Sequence, residues 1–475
     1  MALPMEFSSP HDYFKASVTF LRNHSWIYSN ANTRFIRAGV LEQFPPDYVN
    51  YFLKLENHSL NTFPFLNESE GFSKGIEPSH LQSFRSTIFR LIPDEFHHKQ
   101  SDEESIDVLP KCRFRKMSIK KKHEIMKLME IIQFICSDTS LLLDFGAGLG
   151  YLSEALCGVN KNWRILGLEA DAYRVEAARK RLGKLEPEVS KRVVYVEQFI
   201  GMDDGAAIRH HITCNELKDE TDPTPNWAIV GLHACADLTV ASINLFFELA
   251  EVKRLVIMPC CYHKLQQRVD GSFLHFPLSA ALKAVVSETE SDIDSYFNRP
   301  FLRLACQETS ARWRSLSEED HIAHGEHMFW RAVADAIIND ETEEIAITKN
   351  QQLGKTNNEI KNFSVFRKKY KLRPKSADLN YSPDDYWNEE HEAKFNDILQ
   401  RYADVGPQLA EALTCLQTTM QKLCENIVLY DRVCYMNEYA EAHPHIKLKV
   451  RCQKILNEKL SPRCFVLIAE KLYNS

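Results

Sequence analysis

The sequence predicts an α/β protein built on one seven-stranded sheet, discontinuous along the chain, with a helical N-terminal region and a helical insertion. Three observations predict it. Short apolar runs alternate with helical patterns between Ser118 and Cys261, a glycine-rich turn follows the first of those runs, and two further strand-like runs lie near the C-terminus. Apolar strands alternating with helices imply a parallel sheet covered on both faces.

The strand candidates are Leu141–Phe145, Arg164–Glu169, Val193–Glu197, Trp227–Leu232 and Leu255–Pro259. Helical patterns at Leu152–Cys157, Ala172–Leu182 and Leu238–Ala250 fill most of the gaps between them. Ile446–Ile455 and Cys464–Glu470 are joined by a short connection, which favours an antiparallel hairpin. That hairpin completes the sheet at its edge, so the chain between the fifth and sixth strands is an insertion. Upstream, helical patterning marks Tyr13–Asn23 and Leu81–Leu91, and Phe44–Pro45–Pro46 breaks the chain, with Pro46 suited to open a helix. His97–Ser105, Asn339–Glu344 and Thr348–Asn358 read as exposed polar stretches. The expected division is a helical region at 1–110, a core at 111–264, a mostly helical insertion at 265–420, and the closing strands at 421–475.

Composition narrows the classes of function. Of 475 residues, 44% are hydrophobic and 26% charged, the balance of a globular protein long enough for two or three domains. No apolar run reaches the roughly eighteen residues that a membrane span needs, and Met1–Asn32 lacks the pattern of a secretory signal. Thirteen Cys without such a signal suggest reduced thiols, in the cytoplasm or the nucleus. A net charge of −7 argues against a surface coated in nucleic acid and leaves room for a local basic patch.

The first strand runs into Asp144–Phe145–Gly146–Ala147–Gly148–Leu149–Gly150. Glycines let the backbone turn sharply and approach a ligand with no Cβ in the way. A dinucleotide fold would use G-x-G-x-x-G; here Tyr151 takes the last position and the spacing is G-x-G-x-G behind an acid. A cofactor that lacks phosphates and carries an amino-acid end suits this version, namely S-adenosyl-L-methionine. Asp144 then contacts its ammonium. Glu169 ends the second strand 23 residues beyond Gly146, near the roughly 20-residue spacing of an acid that binds ribose hydroxyls. Glu197, at the end of the third strand, either faces adenine or is an exposed strand-end acid. The expectation is a Rossmann-like methyltransferase whose donor site is Asp144, Gly146, Ala147, Gly148, Gly150, Glu169 and Glu197.

Ligands of open parallel sheets sit beyond the carboxyl ends of the strands. The tips of interest are Gly231–Leu232–His233–Ala234–Cys235–Ala236–Asp237 and Met258–Pro259–Cys260–Cys261–Tyr262–His263. Methyl transfer is an in-line displacement in which alignment supplies much of the rate, and a base is needed only if the acceptor must lose a proton. His263 and His233 are the candidate bases and Asp237 a candidate orienting group, although Asp237 also stands where a helix N-cap belongs. Cys260, Cys261 and Tyr262 would shape the acceptor side. Adjacent cysteines and H-x-C depart from the usual C-x-x-C spacing, so no metal is expected and each Cys reads as a small hydrophobe.

These motifs resemble the methyltransferase-like protein 25 family. The correspondence comprises Met117–Ser118–Ile119–Lys120–Lys121–Lys122–His123–Glu124, the D-F-G-A-G-L-G turn, the L-H-x-C-x-D-L-T loop, the C-C-Y-H tip, Tyr430–Asp431–Arg432 and Ser461–Pro462–Arg463. It is tight from about residue 116 to 265 and looser elsewhere. Ile119 replaces a frequent proline and Ala236 a frequent glycine, and Ala236 could alter the turn of its loop. The paired tips also resemble those of a tRNA ribose-methylating family, which implies RNA as the substrate. No N-P-P-Y or D-P-P-Y loop follows the fourth strand, which disfavours the usual amine-methylating site.

The segment Lys111–Lys127 holds eight Lys and Arg against Glu124, and Lys121, Lys122 and His123 adjoin the expected substrate side. A second cluster, Arg367–Lys375, interleaves cations with Phe366 and Tyr370. Such stretches can hold a phosphate backbone and stack on bases, or can simply be solvated helix faces. The reading is a methyltransferase acting on RNA bound through Lys111–Lys127. Methylation of a protein or small molecule, and a catalytically silent binding scaffold, are the alternatives.

Overall fold

The computed structural model describes residues 3–65, 77–93, 117–185, 187–217, 224–289, 292–307, 310–338, 345–349, 360, 362–374, 387–402 and 404–472. The polar stretch His97–Ser105, the Asn339–Glu344 stretch, most of Thr348–Asn358, and Lys111, Arg113, Arg115, Lys116 and Lys375 lie outside those residues.

The central sheet contains β1 (Leu141–Phe145), β2 (Arg164–Glu169), β3 (Val193–Glu197), β4 (Trp227–Cys235), β5 (Val252–Cys260), β8 (Lys447–Lys454) and β9 (Phe465–Leu472). Its order is β3-β2-β1-β4-β5-β9-β8. The first five strands are parallel, and β9 enters antiparallel beside β5 with Leu255 opposite Ala469. The run Leu141–Leu142–Leu143 is buried on both faces, as a middle strand covered by helices must be. Strands β3 and β8 alternate inward and outward residues because they form the edges. The expected seven-stranded α/β sheet with a closing hairpin is the one observed.

Two strands run further than periodicity suggests. β4 reaches Cys235 and β5 reaches Cys260, so L-H-x-C lies within a strand and not in a loop. Pairing passes from Gly231↔Ile257 to Ala234↔Pro259, which leaves one extra residue on β4. Such a bulge bends the strand and redirects a side chain. Here it turns His233 out to solvent between buried neighbours.

The helices obey local rules. Ile119–Ile135 starts at Ser118, whose hydroxyl accepts from the Lys121 N–H at 3.3 Å. Ala172–Leu182 starts at Asp171, which accepts from Tyr173 and Arg174. Pro46 opens Pro46–Phe52 at its first turn. Gly205–Cys214, between β3 and β4, has buried Ile208 and Ile212 only a turn apart, too short a stripe to read from sequence.

The chain divides into two compact units, one formed by 1–20, 90–309 and 421–475 and the other by 21–89 and 310–420. Of the expected insertion, residues 265–309 thus belong to the unit with the sheet. The second unit packs Phe366 against Phe395 and Trp387, and adds an antiparallel pair of strands, β6 (Ile345–Lys349) and β7 (Tyr370–Pro374), that the sequence does not predict. Phe366 and Tyr370 are buried, so the aromatics of the second basic cluster are core rings and not stacking platforms. No helix among the described residues is long and apolar enough to cross a membrane.

Candidate active site

The glycine turn follows β1 directly. Gly146, Gly148 and Gly150 all have positive φ, at 71°, 57° and 77°. Their backbone reaches back to β2: the N–H groups of Gly146 and Ala147 donate to Leu168 O, at 2.9 and 3.1 Å. The Gly148 N–H donates to Glu169 Oε2 at 2.9 Å, and Asp171 N donates to Oε1 at 3.1 Å. The Glu169 carboxylate is therefore clamped across the turn, with a further lone pair on each oxygen for a ligand hydroxyl.

The three glycines serve different ends. A Cβ on Gly148 would meet nothing nearer than 3.9 Å, so its surroundings are open. A Cβ on Gly146 would lie 3.2 Å from Leu238 and 3.9 Å from the carbonyl of His233, which places the β4 tip beside the turn. At Gly150 the space is already taken: a Cβ would come within 2.3 Å of the Tyr195 hydroxyl, which donates to Gly150 O at 3.1 Å. Tyr195 also occupies the space above Gly167. The third glycine thus accommodates a ring from β3, a packing role that turn spacing alone cannot reveal.

Asp144 is 1% exposed and accepts from Ser153 Oγ at 2.6 Å. Burial pushes its carboxyl up to about 6, opposed by the Ser153 hydrogen bond and assisted by Glu169. A buried carboxylate with a single hydroxyl partner is poised for a cation. Glu197 is paired in register with Glu169 on the neighbouring strand and is exposed.

At the β4 tip, His233 Nε2 lies 3.5 Å from Glu124 Oε2. Glu124 is buried at 2% exposure and accepts from Ser461 Oγ at 2.7 Å. Burial would raise its carboxyl, but the hydrogen bonds from His233 and Ser461 outweigh it and hold the group below its ordinary range. One acid thus joins the Ser118-capped helix, the β4 tip and the S-P-R element, and it orients His233. Its neighbour His123 turns elsewhere, accepting from Asn457 N at 3.0 Å. Lys121 lies over the Tyr151 ring at 4.3 Å, with Arg181 also over that ring at 3.8 Å, and Lys122 is half-buried.

Asp237 neither caps its helix nor orients His233 or His263. The helix begins at Asp237 itself, after Ala236, and shows no side-chain cap. Its Oδ1 lies 2.8 Å from His275 Nδ1 and its Oδ2 accepts from Gln266 N at 3.0 Å. His275, 38 residues downstream, is a partner that no local pattern announces. His263 Nδ1 contacts Cys306 Sγ at 3.0 Å, and burial depresses its basicity. Tyr262 is 1% exposed and packs beside buried Arg432, so it belongs to the core and not to the acceptor surface. Cys235, Cys260 and Cys261 come together, with the Cys235 and Cys260 sulfurs 2.9 Å apart.

Residues 120–268 match a family described as a methyltransferase domain. The chain is 24% identical over 275 residues to the probable methyltransferase-like protein 25 of Mus musculus, and 24% identical over 272 residues to that of Homo sapiens. Each match covers 54% of this chain and 39% of the relative, so the chain spans well under half of those proteins. Among solved structures, it is similar to the methyltransferase domain of bacterial CtHen1 (13% identity, TM-score 0.22, 30% of this chain and 67% of that one). It is also similar to the plantazolicin methyltransferase BpumL in complex with SAH (10% identity, TM-score 0.22, 88% and 95%). The chain carries a methyltransferase domain at residues 120–268 and is similar to methyltransferase-like protein 25.

Proposed function

We propose that this protein is an S-adenosylmethionine-dependent methyltransferase that acts on RNA, with a ribose hydroxyl as the acceptor. The observation that carries the reading is the pairing of two features at the carboxyl ends of the strands. One is the open turn between Asp144 and Glu169, and the other is His233 held by buried Glu124 beside that turn.

The residues fit the donor. The buried Asp144 carboxylate suits an ammonium, the glycine backbone at 146 and 148 permits close approach, Glu169 suits ribose hydroxyls, and Glu197, in register with Glu169 on the next strand, would face the adenine. When bound, S-adenosylmethionine supplies a sulfonium methyl group. The chain aligns the acceptor and handles its proton. Glu124, kept ionised, accepts from Nε2–H of His233, which leaves Nδ1 free to take the proton of an incoming hydroxyl. RNA as the acceptor is supported by Lys120, Lys121, Lys122 and Lys127 on the helix that bears Glu124.

The test is transfer of a tritiated methyl group to fractionated RNA and protein. The expected result is label in RNA, removed by nuclease, and reduced about 10²–10⁴-fold by His233→Ala, the usual contribution of a general base. Label confined to protein would replace RNA by a protein acceptor. Donor binding without label in any fraction would favour the silent scaffold.

A further inference from the structure

We propose that Cys235, Cys260 and Cys261 bind one zinc ion as thiolates and leave its fourth coordination position open. The inference stands apart from the methyl-transfer reading, because it concerns what these three sulfurs hold and not what is methylated.

Sequence spacing argues against a metal because two of the cysteines are adjacent and the third is 25 residues away. The fold removes that objection. Cys235 and Cys260 are direct partners across β4 and β5. Neighbours along a strand ordinarily point to opposite faces, so Cys261 should face away from Cys260. It does not, because β5 ends at Cys260 and Cys261 takes a left-handed conformation, φ 53° and ψ 42°. That turn brings all three sulfurs within 4.8 Å of one another. Tetrahedral zinc with sulfurs at about 2.3 Å holds them about 3.8 Å apart, which small side-chain rotations reach.

Strain marks the same place on both strands. Ala236, directly after Cys235, has φ 51° and ψ −124°, a region suited to glycine. Non-glycine residues in such regions carry a conformational cost and gather at functional sites. The two strained residues here each follow a sulfur of the cluster. Arg463 and Lys264 act electrostatically on Cys261, and these cations would balance the net negative charge of three thiolates on a divalent ion.

The nearby histidines are engaged elsewhere, His263 with Cys306 and His233 with Glu124. Cys260 is buried, whereas Cys235 and Cys261 are half-buried and leave one side of the cluster reachable from solvent. Three protein ligands with a free position is the pattern of zinc sites that take water or substrate, and soft thiolates select zinc over hard cations.

The experiment uses the full chain, purified with a phosphine reductant and no chelator, and measures bound metal by mass spectrometry of the elements. The expected result is one zinc per chain. Cys235→Ser, Cys260→Ser and Cys261→Ser should each lose it while keeping the wild-type circular dichroism, whereas exposed Cys214→Ser and the neighbouring Cys306→Ala should retain it. Replacement by cobalt should produce sulfur-to-cobalt charge-transfer absorption in the wild type and not in the three variants. A reduced, folded wild type that takes up neither zinc nor cobalt overturns the proposal. So does metal that survives loss of all three sulfurs, or a Cys235–Cys260 disulfide as the stable state in the presence of zinc.

Discussion

Asp144 combines a cost and a use in one side chain. Its folded pKa of about 6 lies above the 3.8 of an exposed carboxyl, so ionisation opposes folding. The fold has its full benefit from this group below about pH 4 and loses it progressively as pH rises towards 6. Two pKa units amount to about 3 kcal/mol. Asp144→Asn, which keeps an acceptor for Ser153, should therefore stabilise the donor-free protein at pH 7 by about 1–3 kcal/mol while abolishing donor binding. Urea unfolding measures the first effect, and an unchanged or lowered stability would count against the burial argument. In the wild type, donor binding should strengthen as pH rises through 6, because the ammonium partners only the ionised carboxylate. Asp144 was legible because an acid before a glycine turn is a strong pattern. Its partner Ser153 and the oxygen-by-oxygen clamp on Glu169 were not, since they depend on how the turn folds back on β2.

At the scale of elements, the turn after β1 separates two uses of glycine. Gly150→Ala places a methyl group into Tyr195 at positive φ and should cost about 2–4 kcal/mol, from left-handed strain and overpacking together. Gly148→Ala meets open space and should cost only the conformational part, about 1–2 kcal/mol, while weakening donor binding more. Equal stability losses in thermal melts would contradict the packing assignment. Periodicity predicted the strands but not their ends. It missed that β4 and β5 continue to Cys235 and Cys260, because a strand tip with a bulge loses the alternating pattern. Ala236 has a positive φ, a conformation that glycine adopts at lower cost. Asp237 looked like a cap or an orienting group because both judgements were local. Its true partner, His275, comes from a loop that the sheet brings back.

Across the whole molecule, the sheet is assembled from two distant stretches of chain, with β9 lying between β5 and β8. The hairpin expected from the short C-terminal connection made this discontinuity readable in the sequence. The grouping of residues 21–89 with 310–420 was not, because a unit built from two separated helical segments carries no local signature. The tips of β4 and β5 gather His233, Cys235, Cys260 and Cys261, while His233 owes its orientation to Glu124 on a helix before the sheet and Glu124 in turn holds Ser461 at its end. The residues proposed to hold the donor, by contrast, lie nearly contiguous in sequence, which makes them legible there.

The central claim is that the turn between Asp144 and Glu169 holds S-adenosylmethionine. Calorimetric titration of the purified chain with that compound tests it most directly, with Glu169→Ala and Gly146→Arg measured alongside and their folding checked by circular dichroism. Saturable binding by the wild type, weakened at least about tenfold (about 1.4 kcal/mol) in each folded variant, is the predicted result. A folded wild type that binds no S-adenosylmethionine, with RNA present or absent, would contradict the account.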